Sequence, residues 1–146
     1  MKRTLLRSAT VSFDAKSENE SLSRIFVTGF VLPLGLSAEQ LADLKTVVSE
    51  AVTNCIVHAY RSDPDGKIRL SIKYYSDGLL RMTVSDRGCG IEDVKQAREP
   101  FFTTDREHER CGMGFAIMET FMNRLQVVSE VGKGTRVTME KRLNAA

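Results

Sequence analysis

Glu50-Ala-Val-Thr-Asn54-Cys-Ile-Val-His58 lies in the longest helix-patterned stretch of the chain. On a helix, residues four apart stack along one stripe, so Glu50, Asn54 and His58 share a side. Leu41, Leu44, Val48, Ala51 and Cys55 recur at helical spacing and predict the core-facing stripe of the same helix. The polar stripe adjoins Ala51 and Cys55 and does not oppose them, which puts it at the edge of the core, where a cleft can form. Ser37-Ala-Glu-Gln40 is a capping-box pattern that opens the helix, which should run to about Tyr60.

Turn chemistry sets the elements on either side. Leu5, Ala9, Val11 and Phe13 share a parity and predict a first strand. Ser17 to about Val31 reads as a helix with Leu22, Ile25, Phe26 and Phe30 on its apolar side, stopped by Pro33 and Gly35. After the Asp63-Pro-Asp-Gly66 turn, Ile68, Leu70, Ile72 and Tyr74 alternate. Ser76-Asp-Gly78 then turns the chain into Leu80, Met82 and Val84, which completes a hairpin. A short helix follows from about Glu92 and stops before Pro100. Pro100 to Gly112 is polar and charged and reads as a long mobile loop, a length that usually marks a lid or disorder. A helix near Gly114, then strands at Gln126 to Ser129 and Thr135 to Leu143 about Gly132-Lys-Gly134, close the layout. The predicted fold class is α/β (α+β): a two-layer sandwich with a mostly antiparallel, mixed sheet and helices on one face.

A chain of 146 residues, 42% hydrophobic and 27% charged, should form one globular domain spanning residues 1–146. The net charge is only +2, without the basic excess expected of a direct nucleic-acid binder. No apolar run approaches the roughly 18 residues of a membrane span, and the first residues lack the apolar core of a signal peptide. Cys55, Cys89 and Cys111 form no metal spacing, and three scattered cysteines suit a reducing cytoplasm.

Asp86 keeps the parity of Leu80, Met82 and Val84, so its carboxylate should face the core at a strand end, where it needs donors. Two readings are open: it accepts an adenine amino group, or it caps its own Asp86-Arg-Gly88 turn. Gly88 and Gly90 permit positive dihedrals or close approach of a flat ligand. Asn54 offers a neutral oxygen to Mg²⁺, which prefers phosphate oxygens as further ligands. Glu50 can orient or deprotonate an attacking hydroxyl or water. Arg110-Cys-Gly112-Met-Gly114 sits where a loop enters a helix, whose free amides suit phosphates, and Arg110 can neutralise a terminal phosphate. Thr103 and Thr104 can order the lid by local hydrogen bonds, and Thr135 can bond adenine directly or through water. His58 reads as structural or solvent-facing. Together the motifs imply an ATP site.

In this order the motifs resemble the ATP-binding superfamily of gyrase, Hsp90, histidine kinases and MutL: Asn54 in its N box, Asp86-Arg-Gly-Cys-Gly90 and Arg110-Cys-Gly-Met-Gly114 in its two glycine boxes. Ser49-Glu-Ala-Val-Thr-Asn54, Pro100-Phe-Phe-Thr-Thr104 and Arg110-Cys-Gly-Met-Gly-Phe115 are similar to the sporulation anti-sigma F factors of endospore-forming bacteria. The resemblance implies an ATP- and Mg²⁺-dependent serine/threonine kinase with an ATP lid between its glycine boxes. It would bind a sporulation sigma factor and phosphorylate a small anti-anti-sigma protein. Glu50 would be the general base, Asn54 the metal ligand and Asp86 the adenine acceptor. Gly88, Gly90, Gly112 and Gly114 would shape the pocket, with Thr104 in the lid, Arg110 at the terminal phosphate and Thr135 near adenine. Arg24 would lie on the surface shared by both protein partners, and a homodimer is expected. Alternatives are a stress-response anti-sigma kinase, an ATP-gated binding module without useful phosphotransfer, and a detached ATPase domain of the histidine-kinase or gyrase kind.

Overall fold

Alternating side chains give the sheet one apolar face, and the helices cover it. A computed structural model describes residues 2–99 and 114–143. The strands are β1 (Leu5–Asp14), β2 (Lys67–Tyr75), β3 (Leu79–Asp86), β4 (Arg124–Glu130) and β5 (Gly134–Arg142). They form a five-stranded sheet in the order β1-β2-β3-β5-β4. Every described pairing is antiparallel, so the expected mixed sheet is antiparallel throughout these residues. Ile68, Leu70 and Ile72 from β2, Leu80, Met82 and Val84 from β3, and Val137 and Met139 from β5 are buried against the helices.

Helix α1 (Asn19–Val31) packs on α2 (Ala38–Asn54), and α2 packs on α4 (Gly114–Phe121). The capping box forms as read: Gln40 N–H donates to Ser37 Oγ at 3.1 Å, and Ser37 N–H to Gln40 Oε1 at 3.3 Å. A cap of this kind contributes about 1 kcal/mol. Leu44, Val47, Val48, Ala51 and Val52 lie on the buried side of α2, with Cys55 beyond it, whereas Leu41 is half-buried. The short α3 (Val94–Ala97) precedes residues 100–113, and Arg98 pairs with Glu119, which ties its end to α4. The expected lid, with Thr103, Thr104, Arg110, Cys111 and Gly112, lies outside the described residues.

Two expectations change. On α1 the buried residues are Ser23, Val27, Phe30 and Val31, with Phe26 half-buried, whereas Leu22 and Ile25 are exposed. Ser23 can be buried because its hydroxyl donates to the Glu20 carbonyl at 2.6 Å, so the groove accepts it without an orphaned polar group. The second change is at the end of α2. The α-helix stops at Asn54, and Cys55–Ala59 form a π-helical turn in which Tyr60 N–H donates to the Cys55 carbonyl at 3.0 Å.

Candidate functional site

The π turn keeps the predicted polar stripe on one side. In an α-helix of 3.6 residues per turn, a four-residue step overshoots one turn, so a stripe of such steps drifts sideways. A wider turn closed by i→i+5 bonds undershoots and carries the stripe back. His58 therefore lines the same cleft as Glu50 and Asn54, as the four-residue spacing predicted. The cleft holds about 470 Å³ and is walled by Glu20 and Arg24 from α1 and by Ser49, Glu50, Thr53 and Asn54 from α2. That volume lies within the roughly 300–1,000 Å³ typical of ligand pockets.

Arg24 is more than an exposed arginine. Its Nη2 lies 3.0 Å from Glu20 Oε2 and donates to Ser21 Oγ at 3.1 Å. The other Glu20 oxygen accepts the Ser49 hydroxyl, which joins α1 to α2 one residue before Glu50. Glu20 and Ser49 are cleft residues that the motifs did not single out; the one available signal was their placement one helical turn from Arg24 and one residue from Glu50.

Asp86 ends β3 with 9% of its surface exposed, as its parity predicted. Its Oδ1 accepts the Gly88 amide at 2.9 Å and the Thr135 amide at 3.2 Å, the latter from the register partner on β5. The carboxylate therefore caps its own turn and also binds across the sheet. Cys55 donates its thiol to Oδ2 at 3.4 Å. Burial pushes the Asp86 carboxyl above its ordinary value, while the Gly88 amide, the Cys55 thiol and the Thr135 amide pull the other way. Burial first, and then the Asp86 charge, hold the Cys55 thiol well above its usual range, so it stays protonated and is a poor nucleophile.

A carboxylate has about four lone-pair sites. Oδ1 serves two amides and Oδ2 only a weak thiol donor, so Oδ2 keeps capacity for a stronger donor such as an amino group. Thr135 Oγ1 lies 2.8 Å from Ser129 Oγ. Ser129 accepts the Ile91 amide at 2.7 Å and gives its own proton to the Gly134 carbonyl at 3.1 Å. The Thr135 hydroxyl is then the donor of the pair, which leaves its lone pairs for an incoming N–H or water.

The glycines fit backbone against backbone. A Cβ on Gly88 would stand 2.3 Å from the Ala59 carbonyl oxygen, and one on Gly90 would stand 2.3 Å from that of Glu130. Gly114, the first residue of α4, lies under the Asn54 carboxamide, where a Cβ would sit 3.1 Å from Nδ2 and 3.2 Å from Oδ1. The second glycine motif thus meets the Asn54 side chain directly. Thr104, Arg110 and Gly112 fall outside the described residues. Residues 54 and 55 join the two halves: Asn54 lines the cleft, and Cys55 touches Asp86.

Gly134, in the predicted Gly132-Lys-Gly134 turn, has a φ of +125°, and a Cβ there would lie 2.1 Å from the Asp86 carbonyl oxygen. Gly134→Ala should cost at least about 2 kcal/mol in urea unfolding, from backbone strain together with overpacking. Gly132 is also left-handed, at φ +81°, but has open space. Gly132→Ala should cost only about 1–2 kcal/mol; equal losses at the two positions would refute the close-approach argument.

A family model described as a histidine kinase-like ATPase domain matches residues 13–141. An ATP-binding domain of the kinase type is therefore the class that fold and cleft define. An anti-sigma F factor from Geobacillus stearothermophilus is 50% identical over 131 residues, covering 90% of this chain and 89% of the relative. One from Clostridium perfringens is 46% identical over 134 residues, covering 92% and 95%. The chain belongs to the anti-sigma F factor family of histidine kinase-like ATPases. A solved structure of the RsbU and RsbW domains from Mycobacterium tuberculosis shares the fold at a TM-score of 0.70 and 22% identity, covering 94% of this chain and 33% of that one. No described helix is long and apolar enough to cross a membrane.

Proposed function

We propose that the chain is an ATP-dependent serine kinase that binds and inhibits a sporulation sigma factor and phosphorylates that factor's anti-anti-sigma antagonist. The observation that carries this reading is the pairing of Glu50 with Asn54 on one cleft wall, with Gly114 beneath the carboxamide. A pocket built only to hold nucleotide needs no carboxylate one turn from the metal-binding position. In the proposed step the antagonist's serine hydroxyl loses its proton to Glu50 as its oxygen bonds the terminal phosphorus. The bond from that phosphorus to its bridging oxygen breaks, and ADP leaves. Such transfers rest mainly on positioning and electrostatics.

Among the described residues no three His, Cys, Asp or Glu side chains converge on a metal site. That fits a Mg²⁺ ion held by Asn54 and the nucleotide's own phosphates, where it would offset their charge. Asp86 would accept the adenine amino group, with Thr135 beside it. Arg110 would contact the terminal phosphate, with Thr104 and Gly112 completing the lid end. Arg24 would meet both protein partners at the cleft mouth. The whole chain would act as one domain in the cytoplasm, with no direct contact to nucleic acid. Leu5, Leu6, Leu22, Ile25 and Leu32, all exposed, supply apolar surface for a homodimer.

Incubation with labelled ATP, Mg²⁺ and a small anti-anti-sigma protein should yield serine phosphate on that protein. Labelled nucleotide bound without transfer would leave an ATP-gated binder and sink the kinase reading.

A further inference from the structure

Three consecutive amides follow Asp86, and each is committed. Arg87 N–H donates to the Tyr60 hydroxyl oxygen at 2.7 Å. Gly88 N–H donates to Asp86 Oδ1, and Cys89 N–H to the Ala59 carbonyl at 2.9 Å. The middle bond orients the carboxylate, and the two outer bonds fasten its turn to the end of the π turn.

The Tyr60 bond occupies a distinctive place. Ile68 pairs with Asp86 in the β2–β3 ladder, so the next step of that register would set Lys67 against Arg87. The Tyr60 hydroxyl stands in that step: it donates to the Lys67 carbonyl and accepts the Arg87 amide. One oxygen atom inserted between the two strands ends the ladder and turns the chain immediately after Asp86. The wedge itself is seated, because the Tyr60 ring lies against Gly66, where a Cβ would come within 2.5 Å of ring carbons. Gly66 is held in turn by the Ala15 amide, which donates to its carbonyl at 2.8 Å.

We propose that Tyr60 is a positioning residue for base selection, its hydroxyl setting the turn that aims Asp86 at the exocyclic group of the purine. The proposal rests on the reading of Asp86 as the acceptor of the adenine amino group. Burial raises the Tyr60 phenol above its ordinary value, so it stays a donor to Lys67 through neutral and mildly alkaline pH.

Calorimetric titration with ATP and with inosine triphosphate, which carries a carbonyl in place of the amino group, tests the proposal. The unsubstituted protein should prefer ATP. In Tyr60→Phe the ring keeps its seat on Gly66, and the preference for ATP should narrow by roughly 3- to 10-fold, the weight of one neutral hydrogen bond. Amide exchange at Arg87 should quicken in the same variant. Gly66→Ala keeps the hydroxyl but displaces the ring, and it should narrow the preference by another route. An unchanged preference in Tyr60→Phe, with only the melting temperature lowered, would make Tyr60 merely structural and overturn the proposal. No preference in the unsubstituted protein would instead remove the Asp86 reading, and the proposal with it.

Discussion

Glu50→Gln should lower phosphate transfer to the antagonist by about 10²- to 10⁴-fold, the usual contribution of a positioned general base. The amide matches the carboxylate in size and lines the same cleft, so folding and nucleotide binding should change little. The loss should appear in kcat with KM for ATP nearly constant, the signature of an interaction made in the transition state. Sigma-factor binding in the presence of ATP should persist. That separation makes the substitution decisive, because an inactive variant that also fails to bind ATP would report damage to the cleft and not to proton transfer. Undiminished phosphorylation would eliminate Glu50 as the base.

Asp86→Asn acts at the other end of the site and should weaken ATP binding by about 10- to 150-fold, the weight of a hydrogen bond to a charged acceptor. The asparagine carbonyl can still accept the Gly88 and Thr135 amides that now bind Oδ1. Its amide nitrogen replaces Oδ2 and sets a donor against the donor of adenine. Inosine triphosphate, with an acceptor at that position, should lose less. Stability should move differently. The carboxyl is raised in the folded state chiefly by burial, so the folded protein holds its proton more tightly than the unfolded chain. The ionised form therefore destabilises the fold above the folded-state pKa, and this penalty vanishes as pH falls below the unfolded value of 3.8. Asp86→Asn should melt no lower than the parent at pH 7, with any advantage shrinking toward pH 4. A sharply lower melting temperature at pH 7 together with unchanged ATP affinity would reverse the assignment, making Asp86 a purely structural cap.

Most of the strand and helix pattern was legible because side-chain alternation and capping are local signals. Ser37 and Gln40 announced the start of α2, and the parity of Leu80, Met82, Val84 and Asp86 placed the buried carboxylate. Failures came where a partner distant in sequence decided the outcome. Helix α1 carries apolar residues around much of its circumference, so periodicity alone could not choose between Leu22 and Val27; packing against α2 chose Val27. The π turn itself went unseen, because no residue type in Cys55–Ala59 signals one. The demand for glycine at 134 comes from the Asp86 carbonyl on a neighbouring strand, which the turn sequence does not reveal. Tyr60 likewise gave no motif signal, since the partners of its hydroxyl, Lys67 on β2 and Arg87 just past β3, come later in the chain.

The bond from Thr135 to Asp86 joins residues 49 positions apart, across the β3–β5 pairing. Contacts of such separation form late, after the loop between them has closed. During synthesis the β2–β3 hairpin and α2 can assemble while β5 is still inside the ribosome, so the cleft wall with Glu50 and Asn54 would precede the completed proposed adenine acceptor. On the proposed reading of Asp86, competence to hold nucleotide would arrive with β5. A chain interrupted before Thr135 would lack the second amide on Asp86, and bound ATP would mark molecules whose translation had run past that point.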